Sequence, residues 1–202
     1  MRKFKSLALM LAALGLSACA GSWATDYDGA VGIDVSRNWS VQDVQVTVPD
    51  ALTVSNDNTF APDADIVWHG DPFGDRRSQV SEIMDNGITA GTRKLRGSQP
   101  VVIRAQLITF HAVTPKAVSE APAAVHNISY LAVVADARTG AFLTEPEIIQ
   151  ADLEAFTGSA AVIAAQQGQT QKVRINEHLA RVTEGWLGVG PDMRRSFGGL
   201  GR

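Results

Sequence analysis

The chain has 202 residues, of which 45% are hydrophobic and 19% charged, and its 18 basic and 21 acidic residues leave a formal net charge of −3. That length suits one domain with a substantial core, and the acidic balance argues against a nucleic-acid or anionic-surface binder held by bulk charge. A single cysteine excludes an intramolecular disulfide framework.

Arg2, Lys3 and Lys5 form a basic start, and Leu7 to Leu16 is an uncharged run rich in Leu and Ala. This order predicts a secretory leader over residues 1–18 rather than a spanning helix, which needs about 20 apolar residues. Leu16-Ser17-Ala18-Cys19 resembles the bacterial lipobox. The resemblance implies cleavage between Ala18 and Cys19, a diacylglycerol thioether on the Cys19 sulfur and acylation of the freed amine. Two or more chains make such anchoring stable where one is marginal. Losing the three leader cations takes the basic count from 18 to 15 against 21 acidic residues, a net charge of −6.

Residues 19–38 are small and polar, and read as the lipidated end and a tether, with Trp23 placed for the headgroup layer. Val44, Val46 and Val48 alternate with polar residues in a half-buried strand over Val41–Val48, and Asp65–Trp68 is a short second strand. Asp71 and Asp75 are rival caps for a helix whose buried stripe is Val80, Ile83, Met84, Gly87, Ile88, Gly91 and Leu95. Gly97 is placed to stop it, and Gly87 with Gly91 to let it lie close on a sheet. Pro100 opens a strand in which Val101, Ile103, Ala105 and Leu107 face inward; Ile108 and Phe110 fall on the other parity and predict a bulge or a second covered face. Residues 114–126 read as a long loop. Ile128–Ala137 is a strand, Gly140 supplies the positive φ of the following turn, Ala141–Leu143 returns, and Glu147–Phe156 is a further strand. Residues 158–169 read as a short helix or a mobile connection. Thr170 caps a last helix with Ile175, Leu179, Val182 and Trp186 buried and Gly188 at its end, and residues 190–202 read as a disordered tail. The expected fold is α+β: a single antiparallel-rich sheet of about five strands, two helices on one face, in one domain over 39–189.

The densest polar cluster, Asp65, His69, Asp71, Asp75 and Arg76, makes His69, Asp71 and Asp75 candidate metal ligands, although helix-start duty explains both Asp71 and Asp75 equally well. No paired-histidine zinc spacing, nucleophile elbow or phosphate loop occurs, so no catalytic residue is assigned and no cofactor is expected beyond the lipid on Cys19. His111 and His126 flank the long loop, and His178 sits beside the stripe of the last helix. Arg76, Arg77, Lys172, Arg174 and Arg181 put positive charge on both helices of an acidic protein. They are candidates either for a solvated face or for docking an acidic partner or anionic glycan.

The segments DIVWHGDPFGDR, ITFHAVTPKA and GQTQKVRINEHL together resemble a family of small Gram-negative lipoproteins with no assigned function, over roughly Val41 to Leu187. The resemblance brings no catalytic residue with it. The hairpin DARTGAFL and the element order are similar to those of periplasmic lipoproteins that build envelope-assembly complexes, such as the curli exporter subunit. Together these imply a lipid-anchored periplasmic interaction module with an envelope protein as partner. Ala20 rather than Asp after Cys19 points to the outer membrane, with the inner membrane as alternative. A small-ligand or glycan-binding module, or a metal-assisted enzyme around His69, are the competing expectations.

Overall fold

The structure is a computed structural model and describes residues 22–198. The leader, the Ala18–Cys19 junction and the lipidation site lie outside the described residues. The strands are β1 (Ser22–Asp26), β2 (Trp39–Thr47), β3 (Val54–Ser55), β4 (Ile66–Val67), β5 (Gln99–His111), β6 (Ala124–Asp136), β7 (Glu147–Ala151), β8 (Leu153–Ala155) and β9 (Arg195–Gly198). The helices are α1 (Ile33–Ser36), α2 (Arg76–Gly91), α3 (Pro115–Glu120), α4 (Gly158–Gln166) and α5 (Gln171–Trp186).

The expected five-stranded antiparallel-rich sheet is corrected to a mixed sheet of nine strands, seven of them in the path β3-β4-β5-β6-β7-β1-β9, with β2 pairing β5 and β8 pairing β6. The long strands β5 and β6 run antiparallel through its centre. Along its other edge β5 carries β2, parallel, from Trp39↔Gln99 to Thr47↔Gln106, and then β4, also parallel. A parallel neighbour needs a long crossover, and the chain between β2 and β5 supplies it with β3, β4 and α2. Alternation along Val44, Val46 and Val48 is the same for either direction, so the sequence pattern carries no sign of it.

Side chains of Val101, Ile103, Ala105 and Leu107 on β5, with Tyr130, Ala132 and Val134 on β6, are buried beneath α2 and α5. The register of β5 against β6 shifts between Leu107 and Thr109, the predicted bulge, and Phe110 is then buried edge-on against Trp68 with ring centres 5.9 Å apart. The stripe of α2 is buried as its spacing predicts. Its glycines serve a different neighbour, however. A Cβ at Gly87 would stand 2.6 Å from Leu179 Cβ, and one at Gly91 2.5 Å from the Ala180 carbonyl oxygen, so these glycines seat α2 on α5 rather than on the sheet. The helix stops at Gly91, where Thr92 Oγ1 donates to the Thr89 carbonyl at 2.8 Å. Gly97 lies beyond it, against the Asn38 backbone, with its N–H donating to the Trp39 carbonyl at 2.7 Å.

Both ends of the described chain join the sheet. In the stretch read as a tether, β1 lies between β7 and β9, and Tyr27 is only 2% exposed. In the stretch read as a disordered tail, β9 pairs with β1 from Ser22↔Gly198 to Thr25↔Arg195. The Tyr27 hydroxyl donates to Asp192 at 2.9 Å and pins the chain leading into β9. The two segments hide because each satisfies its backbone against the other, with few apolar residues to mark either. The folded unit therefore runs past both limits of the expected 39–189 domain. In the presumed loop, Pro115 occupies the first turn of α3, where its missing N–H costs nothing, and Thr114 caps it.

Candidate functional site

The sequence DIVWHGDPFGDRR folds into a brace between β4 and α2. Asp75 caps α2, accepting from the N–H groups of Arg77 and Ser78. Asp71 instead accepts from the Trp68 indole N–H at 2.8 Å and from Lys172 Nζ at 3.0 Å. Burial pushes the Asp71 carboxyl up, but the Trp68 and Lys172 hydrogen bonds outweigh it and its pKa falls below the usual range. Asp65 accepts from the Thr53 N–H and hydroxyl. Burial, and then the Arg76 charge, lower the His69 pKa. Among the described residues no three His, Cys, Asp or Glu side chains come together as a metal-holding group, so His69, Asp71 and Asp75 do not form the candidate cluster.

Arg76 and Arg77 leave the candidate interaction set as well. Arg76 is buried and donates to Asn56, Gln79 and the carbonyls of Asp71 and Pro72. Arg77 donates to the carbonyls of Pro49, Asp50 and Leu52, tying down the loop after β2. These partners lie up to 28 residues away in sequence, so local spacing gives no hint of them.

Of the other three cations, Arg174 and Arg181 line one cleft, and Arg174 with Lys172, which Asp71 holds, lines a neighbouring hollow. A cleft of about 380 Å³ is lined by Phe156, Gln167, Gln169, Arg174, Glu177 and Arg181. A second hollow of about 240 Å³ shares Phe156, Gln169 and Arg174 with it and reaches Lys172 and Gly70. Arg174 and Arg181 are two turns apart on α5 and so share one face. Arg174 donates to the Glu154 carbonyl at 2.8 Å, and its guanidinium lies 3.7 Å from the Phe156 ring centre. Burial, and then the Arg181 charge, lower the Arg174 pKa. Over this cleft lies α4, GSAAVIAAQ, a helix without a charged residue in which only Ala164 is buried. Val162 is 57% and Ile163 54% exposed. Nine residues of helix are marginal in water by themselves.

Below the cleft is a buried polar knot that the sequence reading missed. Asp152 kinks the chain between β7 and β8, splitting the single strand expected over Glu147–Phe156. Its carboxylate accepts from Asn127 Nδ2 at 2.8 Å, from the Ile128 N–H at 3.1 Å and from the Ala24 N–H at 3.1 Å. The Thr25 hydroxyl donates to the Asp152 carbonyl and lies 3.4 Å from His178 Nε2. Burial, then Arg174 and His178, lower the His126 pKa to about 3. Burial, then Arg181 and Arg195, lower that of His178 to about 4. Burial raises the Asp152 pKa. Thr25, His126 and His178 are each at most 1% exposed. Hydroxyl, imidazole and carboxylate here join β1, β6 and α5 to the turn between β7 and β8, all of them buried. His111 ends β5 with its Nε2 2.9 Å from the Pro62 carbonyl oxygen, apart from this knot.

A profile of a family of unknown function, DUF6778, matches residues 39–201. The chain belongs to that family. The matched span includes all three sequence segments quoted above, α4, α5 and the cleft between them, whereas β1 precedes it. No curated protein matches the sequence. Among solved structures, the chain is similar to a minor lipoprotein from Acinetobacter baumannii, at 11% identity and a TM-score of 0.34 over 73% of this chain and 93% of that one. It is also similar to a chain from Caulobacter crescentus CB15, provisionally described as a lipoprotein, at 12% identity and a TM-score of 0.33 over 72% and 90% of the two chains. Both likenesses are too distant to transfer a role to this DUF6778 chain.

Proposed function

We propose that this DUF6778 chain is a lipid-anchored envelope protein that works by binding rather than by catalysis, and that its binding surface is the α4–α5 end. The address rests on the leader and on Cys19, with Ala20 favouring the outer membrane. The observation that carries the binding reading is α4, an uncharged helix with Val162 and Ile163 exposed beside a cleft holding Arg174 and Arg181. That combination suits an occupant with an apolar part and an anionic part. The non-enzymatic reading is supported by the side chains of catalytic type: His126, His178 and Asp152 are all buried, and Asp71 and Asp75 have structural partners.

A second reading, docking of an envelope protein, is favoured by the sheet face opposite α2 and α5. There Ile148 pairs across β7–β6 with Leu131, and Ile148 and Phe142 are exposed. Photo-crosslinking residues placed singly at Val162 and Ile148, in cells, test both readings. Adducts with envelope components from the anchored chain, lost in Cys19→Ser, are expected. Recovery of the chain alone at both positions, anchored or not, would overturn the binding proposal. Mass spectrometry of the peptide beginning at Cys19 checks the lipid itself.

A further inference from the structure

The start of β1 fixes where an anchor on Cys19 would emerge. Thr25 pairs with Ala151 and the Ala24 N–H bonds the Asp152 side chain, so the Ser22 end of β1 lies at the end of the sheet where Asp152 turns the chain from β7 into β8, the strand that leads to Phe156 and α4. In the sequence Cys19 stands three residues before Ser22. Phe156, Val162 and Ile163, just before and within α4, are exposed. The N-terminal end of β6 pairs with β8, and α3, which precedes it, lines the hollow with Val118 beside α4. Phe60 stands against Lys116 of α3, and Phe73 follows Asp71, the partner of Lys172 at the head of α5. Trp23 on β1 pairs across to Phe197 on β9.

Aromatic rings here come with cations. Lys116 lies 4.9 Å from the Phe60 ring centre, Arg174 3.7 Å from Phe156 and Arg195 5.3 Å from Phe197. Rings and cations side by side, around an uncharged apolar helix, match the layering of a phospholipid surface, where acyl chains lie beneath phosphates.

We infer that this end of the domain lies on the bilayer that holds Cys19, with Val162 and Ile163 of α4 entering the acyl boundary and Arg174, Arg181 and Lys116 facing phospholipid phosphates. The inference rests on the proposed anchoring and adds an orientation to it. It also assigns the occupant of α4: phospholipid, not protein.

Cys19 is the only cysteine in the sequence, so in the lipidated chain an added cysteine is the single free thiol. Ile163→Cys and Phe142→Cys would each carry an environment-sensitive fluorophore, in the full lipidated chain reconstituted into phosphatidylethanolamine–phosphatidylglycerol vesicles with headgroup-spin-labelled lipid. Phe142 bridges Ala135, eleven residues along β6 from the end that pairs with β8, or about 36 Å. The label at residue 163 should be quenched about threefold more strongly than that at 142. Adding Arg181→Glu should reduce the difference. Equal quenching at the two positions in a chain that floats with the vesicles would overturn the orientation alone, and would return α4 to a protein partner. A chain that does not float would overturn the anchor and the orientation together.

Discussion

The guanidinium of Arg174 covers the Phe156 ring at 3.7 Å while donating to the Glu154 carbonyl, so one side chain ties the first turns of α5 to the strand end that leads into α4. Removing it uncovers the ring and leaves a carbonyl without its partner. Arg174→Ala should cost about 1–2 kcal/mol in urea unfolding, and Arg174→Lys should recover less than half, because an ammonium cannot stack as a planar fork does.

The contact between α2 and α5 leaves no room at Gly91. A side chain there meets the Ala180 carbonyl oxygen and Thr183, which are backbone and β-branched groups that cannot swing away. Gly91→Val should destabilise by about 1–3 kcal/mol, whereas Gly29→Ala, where a Cβ has nothing within 4 Å, should stay close to the parent. Comparing their urea midpoints tests whether helix apposition is the cause.

Acid should loosen the knot under the cleft. His126 and His178 hold pKa values of about 3 and about 4 against an ordinary 6.5, so below about pH 6.5 the unfolded chain takes up protons that the folded chain refuses. Stability then falls as pH drops, by about 1.4 kcal/mol per pH unit for each histidine, until the folded values are reached. Asp152 has the opposite sign. Its raised pKa favours the protonated folded form, so its contribution is present below the usual carboxylate range and is lost as pH rises through the folded value. Between about pH 6.5 and 5.5 the unfolding free energy should fall by about 2 kcal/mol, and His126→Gln with His178→Gln should flatten that slope.

The pairing of β9 depends on Tyr27. Its hydroxyl donates to Asp192 and accepts from the Met193 N–H, and the Arg194 guanidinium lies 5.2 Å from its ring centre. Tyr27→Phe should leave global unfolding nearly unchanged but speed amide exchange in residues 195–198, a local loss of about 0.5–1.5 kcal/mol. Equal protection in the two chains would sink this account of the tail.

What could be read from sequence was local. The stripe from Val80 to Gly91, the cap Thr170 and the positive φ of Gly140 each follow from periodicity or from one residue's stereochemistry, while the Asp75 cap and the bulge after Leu107 are each one of two readings the sequence leaves open. What escaped was pairing across distance. The parallel course of β2 along β5, and the union of Ser22–Asp26 with Arg195–Gly198, depend on segments that show little apolar pattern alone. The site divided along the same line. Arg174 and Arg181 line one cleft because they lie two turns apart on one helix. Arg76 and Arg77 were lost to carbonyls and side chains of earlier loops, and the exposure of α4 depends on what fails to cover it.

The position of β1 also decides where this protein can be cut. The stretch matched by the family begins at residue 39, yet β1, Thr25 and Tyr27 all precede it. A fragment trimmed to that limit would bare β7 as a raw sheet edge, strand β9 without a neighbour and withdraw the Ala24 N–H from buried Asp152. Such a piece invites edge-to-edge aggregation, so the minimal unit for expression begins no later than Ser22.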